Sequence, residues 1–130
     1  MTKARILLDS DVIINHLRQK KVLSSKLSSA ILFISVISWG ELLRGIQRSS
    51  RKQEAKKKLE KFITDFNIKI LLLSETELEI YAEDDYLLQK NGKKIDNFDL
   101  LIAATAKAHD LELLTYNHKH FDRIPDLKLV

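Results

Sequence analysis

The 130-residue chain contains no cysteine. This absence excludes disulfide bonds, thiolate zinc sites and cysteine nucleophiles, and it leaves metal sites built from oxygen ligands open. No apolar run approaches the roughly 20 residues that a helix needs to cross a bilayer. The N-terminus also lacks the long apolar block and the small-residue cleavage site of a signal peptide. We therefore expect a cytoplasmic protein with no membrane segment.

The signatures of several enzyme classes are missing as well. No GxSxG, P-loop or GxGxxG pattern occurs, which argues against the serine hydrolases, nucleotide triphosphatases and dinucleotide-binding proteins that carry them. The four histidines include a close pair, His118 and His120, but no third ligand follows at zinc spacing. We predict surface histidines rather than a zinc site.

The charge that is present is unevenly distributed. Hydrophobic residues at 45% and charged residues at 31% fit a single compact domain over residues 1–130. The net charge is +4, and eight basic residues against two acidic ones lie between Arg44 and Lys61. Such a segment either contacts a polyanion or is a well-solvated helix surface, and composition alone leaves both interpretations open.

Apolar runs alternate with amphipathic segments along the chain. The predicted strands are residues 4–8, 31–37, 68–73 and 112–117, and the C-terminal LKLV is a candidate fifth strand. The first predicted helix is capped by Ser10 or Asp11, and further helices are predicted to begin at Ser38, at Arg51, at Ser74 and at Asp96. This alternation predicts an α/β fold in which helices flank a mostly parallel central sheet of four or five strands.

Four polar residues fall where predicted strands end and helices begin. Asp9 follows the first strand, Glu41 lies in the first turn after the second, Asp99 opens a buried helix, and Asn117 ends the fourth strand. Ligands of parallel α/β sheets bind outside the carboxyl ends of the strands. We therefore expect these residues to lie in one cleft.

Three carboxylates within about 4 Å of one another would repel strongly, by about 4 kcal/mol per pair at an effective dielectric near 20. Protonation, basic side chains or a divalent cation can offset this repulsion. An all-oxygen donor set best suits Mg²⁺ or Mn²⁺, which commonly serve phosphate chemistry. Helix capping is the simpler alternative for each residue, because Ser38 and Glu41 have capping-box spacing and both Asp11 and Asp96 can start helices.

Four sequence blocks resemble the PIN-domain ribonucleases of the VapC toxin type: LLDSDVIIN, ISVISWGELLRG, IDNFDLLIAATAKAHD and LLTYNHKHFDRIP. The resemblance covers nearly the whole chain and implies a PIN-like three-layer fold. By motif, it makes Asp9, Glu41 and Asp99 the acidic residues around Mg²⁺ or Mn²⁺ and Asn117 a weaker fourth member. It also implies that the Ser10 hydroxyl holds the site's geometry.

The sequence departs from the family pattern at two acidic positions. Asp11 stands where Asn is frequent, and Asp96 is an extra acid upstream of Asp99. Either residue could tighten metal binding or cap a helix, and we favour caps. The family resemblance further implies a homodimer and a cognate antitoxin, whose peptide lies across the cleft, with a toxin–antitoxin hetero-oligomer as a further state.

The sequence therefore predicts an Mg²⁺- or Mn²⁺-dependent endoribonuclease that acts as a toxin. Asp9 and Asp99 bind the metal, Glu41 binds it or orients the attacking water, and Asn117 supports the site. The alternatives are a non-toxin RNA-maturation nuclease, a DNA nuclease, or a non-catalytic nucleic-acid-binding module. The candidate RNA contacts lie in the basic segment and are Arg44, Arg48, Arg51, Lys52 and Lys56.

Overall fold

A parallel four-stranded sheet forms the centre of the computed structural model, which describes residues 3–130 apart from the side chain of Lys26. The strands are β1 (Arg5–Leu8), β2 (Ile31–Ser35), β3 (Lys69–Leu71) and β4 (Glu112–Leu114). Their order is β3-β2-β1-β4, and every neighbouring pair is parallel. Because parallel strands run in one direction, their carboxyl ends form a single edge of the sheet, which we call the carboxyl edge.

Helices cover both faces of this sheet. They are α1 (Ser10–Leu17), α2 (Val36–Gln47), α3 (Lys52–Asp65), α4 (Glu75–Lys90), α5 (Asn97–Ala108) and the short α6 (His118–Phe121). A 3-10 turn at Ser25–Ser29 precedes β2. The predicted three-layer α/β architecture is confirmed.

Alternation along β1 divides the core into two clusters. Leu7 packs into a cluster with residues of α4 and α5, whereas Ile6 and Leu8 face a second cluster with residues of α1, α2 and α3. Successive side chains of a strand point to opposite faces, so a strand buried on both sides must be apolar throughout. The short apolar run of β1 therefore holds both layers of helices.

Helix α5 is buried along most of its length, as its sequence predicts. Leu100 and residues 102–106 are almost inaccessible to solvent. Three of these are alanines, whose small side chains let the helix approach the sheet closely. This burial fixes the start of α5, and with it Asp99, relative to the strands.

The predicted start of one helix and the predicted cap of another are wrong. Helix α2 begins at Val36, where its N-cap Ser35 accepts a hydrogen bond of 3.0 Å from the Ser38 N–H, so the predicted Ser38–Glu41 capping box does not form. Helix α1 begins at Ser10, and its N-cap is Asp9 rather than the predicted Ser10 or Asp11. Val36 and Ile37 continue a β-branched run that looks like strand, so their composition hides the boundary.

The predicted fifth strand is reduced to a single bridge. Leu113 pairs with Leu129, and Leu113 N–H donates to the Lys128 carbonyl at 2.8 Å. β3 and β4 are also shorter than the predicted runs 68–73 and 112–117, because the chain leaves the sheet after three residues in each. No helix in the described part of the chain combines the length and apolar character needed to cross a membrane.

Candidate active site

Asp9 lies directly after β1 at the carboxyl edge and is only 6% exposed. Both of its carboxylate oxygens have fixed partners. The Ser10 N–H donates to Oδ1 at 2.8 Å, and the Thr115 hydroxyl donates to Oδ2 at 2.8 Å. Its burial and the nearby charge of Asp11 nevertheless raise the pKa of Asp9 to about 7. Asp9 is therefore a buried acid whose ionised form needs a further positive partner.

Glu41 lies in the second turn of α2 rather than in the predicted first turn, because the helix begins at Val36, and it reaches towards α1. The Ser10 hydroxyl donates a hydrogen bond of 3.1 Å to Glu41 Oε1. Ser10 thus joins two predicted site residues, because its N–H contacts Asp9 and its hydroxyl contacts Glu41. Burial raises the pKa of Glu41, the charge of Asp99 adds to the rise, and Arg44 acts in the opposite direction.

Asp99 lies in the first turn of α5, behind the N-cap Asp96. The Asp96 carboxylate accepts the Phe98 N–H at 3.0 Å, so the predicted capping role of Asp96 is confirmed. Burial raises the pKa of Asp99, and the charge of Asp96 raises it further. The Nδ1 atom of His120 lies 3.6 Å from Asp99 Oδ2, and this contact lowers the pKa of Asp99.

Asn117 precedes α6 as its N-cap residue and is linked to both sides of the site. Its N–H donates to the Thr115 hydroxyl oxygen at 3.0 Å, and this hydroxyl in turn donates to Asp9. Its side-chain Nδ2 lies 3.0 Å from Nδ1 of His120. Asn117 is therefore part of a connected set of polar groups that reaches Asp9 through Thr115 and Asp99 through His120.

Asp11 does not act as the helix cap that its position suggests. It occupies the first turn of α1, and its Oδ2 accepts the Tyr116 N–H at 3.1 Å, from a residue 105 positions away. Its Oδ1 is buried and has no hydrogen-bond partner among the residues that the structure describes. Burial raises the pKa of Asp11, although the hydrogen bond from Tyr116 lowers it. Asp11 therefore connects the start of α1 to the loop after β4.

These carboxylates share one edge, and their charges interact. Asp99 raises the pKa of both Asp9 and Glu41. Within residues 3–130, however, no three His, Asp or Glu side chains are grouped closely enough to hold a metal ion as they stand. The donor types suit Mg²⁺, which often takes only one or two carboxylates and keeps several waters. The site therefore fits a divalent cation in its donor chemistry and its uncompensated negative charge, rather than in a preformed cluster of three ligands.

Two residues at this edge were missed by the sequence analysis. Thr115 is buried and holds Asp9, and His120 lies beside Asp99. Thr115 directly follows β4 just as Asp9 follows β1, and Leu8 and Leu114 are paired in the sheet. This equivalent position is a signal that the sequence contains. His120 carries no such signal, because its approach to Asp99 depends on the path of the chain after β4.

A different histidine, His16, is half-buried and packs on Phe62 and Phe66 rather than lying on the surface.

The basic segment spans the end of α2 and the length of α3. Arg44 is exposed on α2, close enough to Glu41 to lower its pKa. The C-cap of α2 is Arg48 and the N-cap of α3 is Arg51. Lys52 and Lys56 are exposed on α3, and no ion pair found within residues 3–130 includes either of them. The segment therefore presents exposed positive charge on α2, near Glu41, and on α3.

A parallel sheet with buried carboxylates along its carboxyl edge defines a class of α/β proteins that bind a ligand at that edge. The chain matches the family profile of the PIN domain over residues 6–127. Ribonuclease VapC2 of Rickettsia felis is 38% identical over 96 residues, which make up 74% of this chain and 70% of that protein. Ribonuclease VapC10 of Mycobacterium tuberculosis is 33% identical over 129 residues, which make up 95% of this chain and 90% of that protein. The chain therefore belongs to the PIN domain family and, within it, to the VapC ribonucleases.

The similarity extends to a solved structure. One chain of the VapBC2 complex from Rickettsia felis, bound to a DNA fragment from its promoter, is similar to this chain with a TM-score of 0.87. The two chains are 28% identical, and the match covers 97% of each. The family predicted from the four sequence blocks is confirmed.

Proposed function

We propose that this chain is a metal-dependent endoribonuclease and the toxin of a toxin–antitoxin pair. One observation carries the proposal: Asp9, Glu41 and Asp99, from three separate segments, lie at one edge with raised pKa values in a chain of the VapC family. A purely structural role would not require uncompensated carboxylates at the ligand-binding edge of a parallel sheet.

Asp9, Glu41 and Asp99 would hold Mg²⁺ or Mn²⁺. When bound, such an ion supplies positive charge for the phosphodiester and lowers the pKa of a bound water. It would also offset the burial and mutual repulsion that raise the pKa values of these three groups. We assign Asp9 and Asp99 as direct ligands.

The remaining polar groups position these acids. The Ser10 N–H and the Thr115 hydroxyl fix Asp9 at 2.8 Å each, and the Ser10 hydroxyl fixes Glu41 at 3.1 Å. A raised pKa makes the ionised Glu41 carboxylate a stronger base, which suits it to accept a proton from an attacking water. We therefore assign Glu41 to the metal or to the water, and Asn117 to support through Thr115.

The basic segment would guide the substrate. RNA carries one negative charge per phosphate, and exposed cations along α3 offset that charge without reading the base sequence. We propose that the RNA backbone contacts the predicted residues of this segment, which are Arg44, Arg48, Arg51, Lys52 and Lys56. Because the substrate is cellular RNA, we also propose the cytoplasm as the site of action.

A cognate antitoxin and a second copy of the chain are the proposed protein partners. The VapBC2 structure from Rickettsia felis supports the first, since it contains a VapC chain in a VapBC complex. A groove of about 380 Å³ between α1, α2 and α3 also supports a peptide partner. Its lining includes the apolar residues Ile14, Leu42 and Ile46, and Arg18 and Lys58 are among its charged residues.

RNA cleavage tests the enzymatic part of the proposal. Purified protein is incubated with total cellular RNA and Mn²⁺ or Mg²⁺, or with chelator, and fragments are mapped by their ends. We expect discrete fragments that need both the metal and Asp9 and that disappear with Asp99→Asn. Asp65→Asn is the matched control, because Asp65 is an exposed carboxylate at the end of α3. A folded Asp99→Asn protein that cleaves at the normal rate would refute the assigned role.

Growth tests the toxin part. Induced expression should arrest growth, and co-expression of a neighbouring open reading frame should restore it. Cleavage of RNA without growth arrest would favour an RNA-maturation nuclease. Calorimetry with RNA and metal would identify a protein that binds RNA but never cleaves it.

A further inference from the structure

Tyr116 projects an aromatic ring from the backbone that holds the acidic edge. Its N–H donates to Asp11 Oδ2 at 3.1 Å. The preceding residue, Thr115, donates to Asp9, and the N–H of the following residue, Asn117, donates back to the Thr115 hydroxyl oxygen. The backbone of Tyr116 is therefore held in place next to Thr115, the residue that contacts Asp9.

The ring itself is accessible. Tyr116 is 39% exposed although the ammonium of Lys21 lies 4.4 Å from its ring centroid. Lys21 follows α1, where its N–H donates to the Asn15 carbonyl at 3.3 Å. A cation at this distance from a tyrosine ring is attracted to the ring's electron-rich face. The pair thus presents an aromatic surface and a positive charge side by side.

Exposed aromatic side chains are few in the described part of the chain. There are three, Tyr86, Phe98 and Tyr116. Tyr86 lies on α4, which contributes none of the site carboxylates. Tyr116 differs from it because both of its backbone neighbours are hydrogen-bonded within the site and because Asp11, a half-buried carboxylate, is held against its N–H. Core packing does not explain an exposed ring that is positioned in this way.

We propose that Tyr116 is a stacking platform for one unpaired nucleobase of the RNA, with Lys21 contacting a phosphate beside it. The inference rests on the proposed function, since it names the part of the substrate that this side of the site binds. Aromatic side chains stack on the face of any base, provided that the base is not paired in a duplex. The proposal therefore requires the base to be unpaired when it binds to the ring.

The Lys21 ammonium has a distinct task in this arrangement. A phosphate approaching Asp9 and Asp11 meets negative charge. The positive charge of Lys21 offsets part of it, as its lowering of the pKa of Asp11 indicates. A lysine at this position brings a positive charge to the backbone of the nucleotide whose base lies on the ring. Stacking and charge neutralisation then act on adjacent parts of one nucleotide.

Binding of a short oligoadenylate, labelled at its 5′ end, tests the proposal by fluorescence anisotropy. Ca²⁺ replaces Mg²⁺ in this assay, because it binds oxygen ligands and can occupy the carboxylates while cleavage is avoided. We expect Tyr116→Leu to weaken binding about 5- to 150-fold, the range for one base stacked on an aromatic side chain. Tyr116→Phe keeps the ring and should bind as the wild type does. Tyr86→Leu is the matched control, because it removes an exposed tyrosine from α4.

Two further measurements separate stacking from a general loss of affinity. Removal of one base from the oligoadenylate, scanned along the strand, should weaken wild-type binding at one position and have little further effect on Tyr116→Leu. Lys21→Gln should lower the dependence of log affinity on log salt by about 0.7, the slope for one phosphate contact on a single strand.

The outcomes separate this inference from the proposed function. Equal affinities of wild type and Tyr116→Leu overturn the stacking role, as does Tyr116→Phe binding as weakly as Tyr116→Leu, or wild type that does not bind the oligoadenylate. A protein that binds through Tyr116 but leaves total RNA intact with Mg²⁺ and Mn²⁺ would retain the platform and lose the proposed cleavage. A protein that cleaves RNA equally well with and without the Tyr116 ring would retain the cleavage and lose the platform.

Discussion

The hydroxyl of Thr115 donates a hydrogen bond of 2.8 Å to Asp9 Oδ2, across 106 positions of sequence. The same hydroxyl oxygen accepts the Asn117 N–H at 3.0 Å. Asp9 and Thr115 are both almost fully buried, so water cannot replace Thr115 as the partner of Asp9. One threonine thus ties the end of β1 to the loop after β4 and fixes the orientation of the carboxylate.

Replacing Thr115 by valine should destabilise the protein by about 2–3 kcal/mol at pH 8. Valine has a similar shape but leaves the Asp9 oxygen and the Asn117 N–H without a partner, and buried hydrogen bonds to charged groups are worth this amount. Thr115→Ser keeps the hydroxyl and should lose only about 1 kcal/mol for one buried methyl group. Urea unfolding measures both, and equal losses in the two variants would contradict the role of the hydroxyl.

The stability of the metal-free protein should fall as pH rises from about 4 to about 7. Burial and the charge of Asp11 raise the pKa of Asp9 from 3.8 to about 7, so in this window the native state keeps a proton that the unfolded chain releases. Unfolding then becomes easier with rising pH. The Asp9→Asn variant has no such proton. Its free energy of unfolding should therefore rise by roughly 3–5 kcal/mol relative to that of the wild type between pH 4 and pH 8.

Urea unfolding in chelator, repeated across this pH range, measures the effect. Asp65→Asn provides the control, because its exposed side chain should leave the pH profile that of the wild type. Parallel profiles for Asp9→Asn and wild type would mean that Asp9 ionises normally in the folded protein.

The sequence predicts the fold well where its pattern is local and periodic. The apolar run of β1 and the apolar, alanine-rich surface of α5 follow from burial on both sides, and both elements lie where they are predicted. The boundary between β2 and α2 is not predictable in this way. Val36 and Ile37 are β-branched and favour strands, but the Ser35 hydroxyl caps the helix just before them.

The candidate site shows the same division. Asp9 and Asp99 can be placed from the ends of predicted elements, because parallel strands bring their carboxyl ends to one edge. The contact between Asp11 and the Tyr116 N–H joins residues 105 positions apart, and neither residue has a local signal for it. Asp11 instead has the sequence of a helix cap, which is why that prediction is wrong. Long-range hydrogen bonds of this kind depend on the packed fold.

Neutralising three cations of the basic segment should weaken RNA binding and reduce its salt dependence. The variant is Arg48→Gln, Lys52→Gln and Lys56→Gln together. Each phosphate contact on a single strand contributes about 0.7 to the slope of log affinity against log salt, so three lost contacts should lower the slope by about 2.

The matched control is Lys90→Gln, Lys93→Gln and Lys94→Gln, which removes the same charge from the end of α4 and the loop that follows. Binding of a labelled single-stranded RNA is measured over a range of salt concentrations. If both triple variants lower the slope equally, net charge explains the effect. If neither changes it, the segment is only a solvated helix surface.

Lys107 and Asp84 form a buried ion pair between α5 and α4, away from the site carboxylates. The Lys107 ammonium lies 2.8 and 3.1 Å from the two Asp84 oxygens, and the side chains are 16% and 5% exposed. Lys107→Met should cost about 3–5 kcal/mol, because it leaves the Asp84 carboxylate buried without a cation.

Adding Asp84→Leu to Lys107→Met should recover most of this loss, since two apolar side chains of similar size no longer bury a charge. Urea unfolding of the single and double variants gives the coupling energy between the two positions. The double variant should also cleave RNA at the wild-type rate, because the pair contributes nothing to the carboxyl edge. If Lys107→Met alone is as stable as wild type, Asp84 must take another partner or a proton when the ammonium is removed.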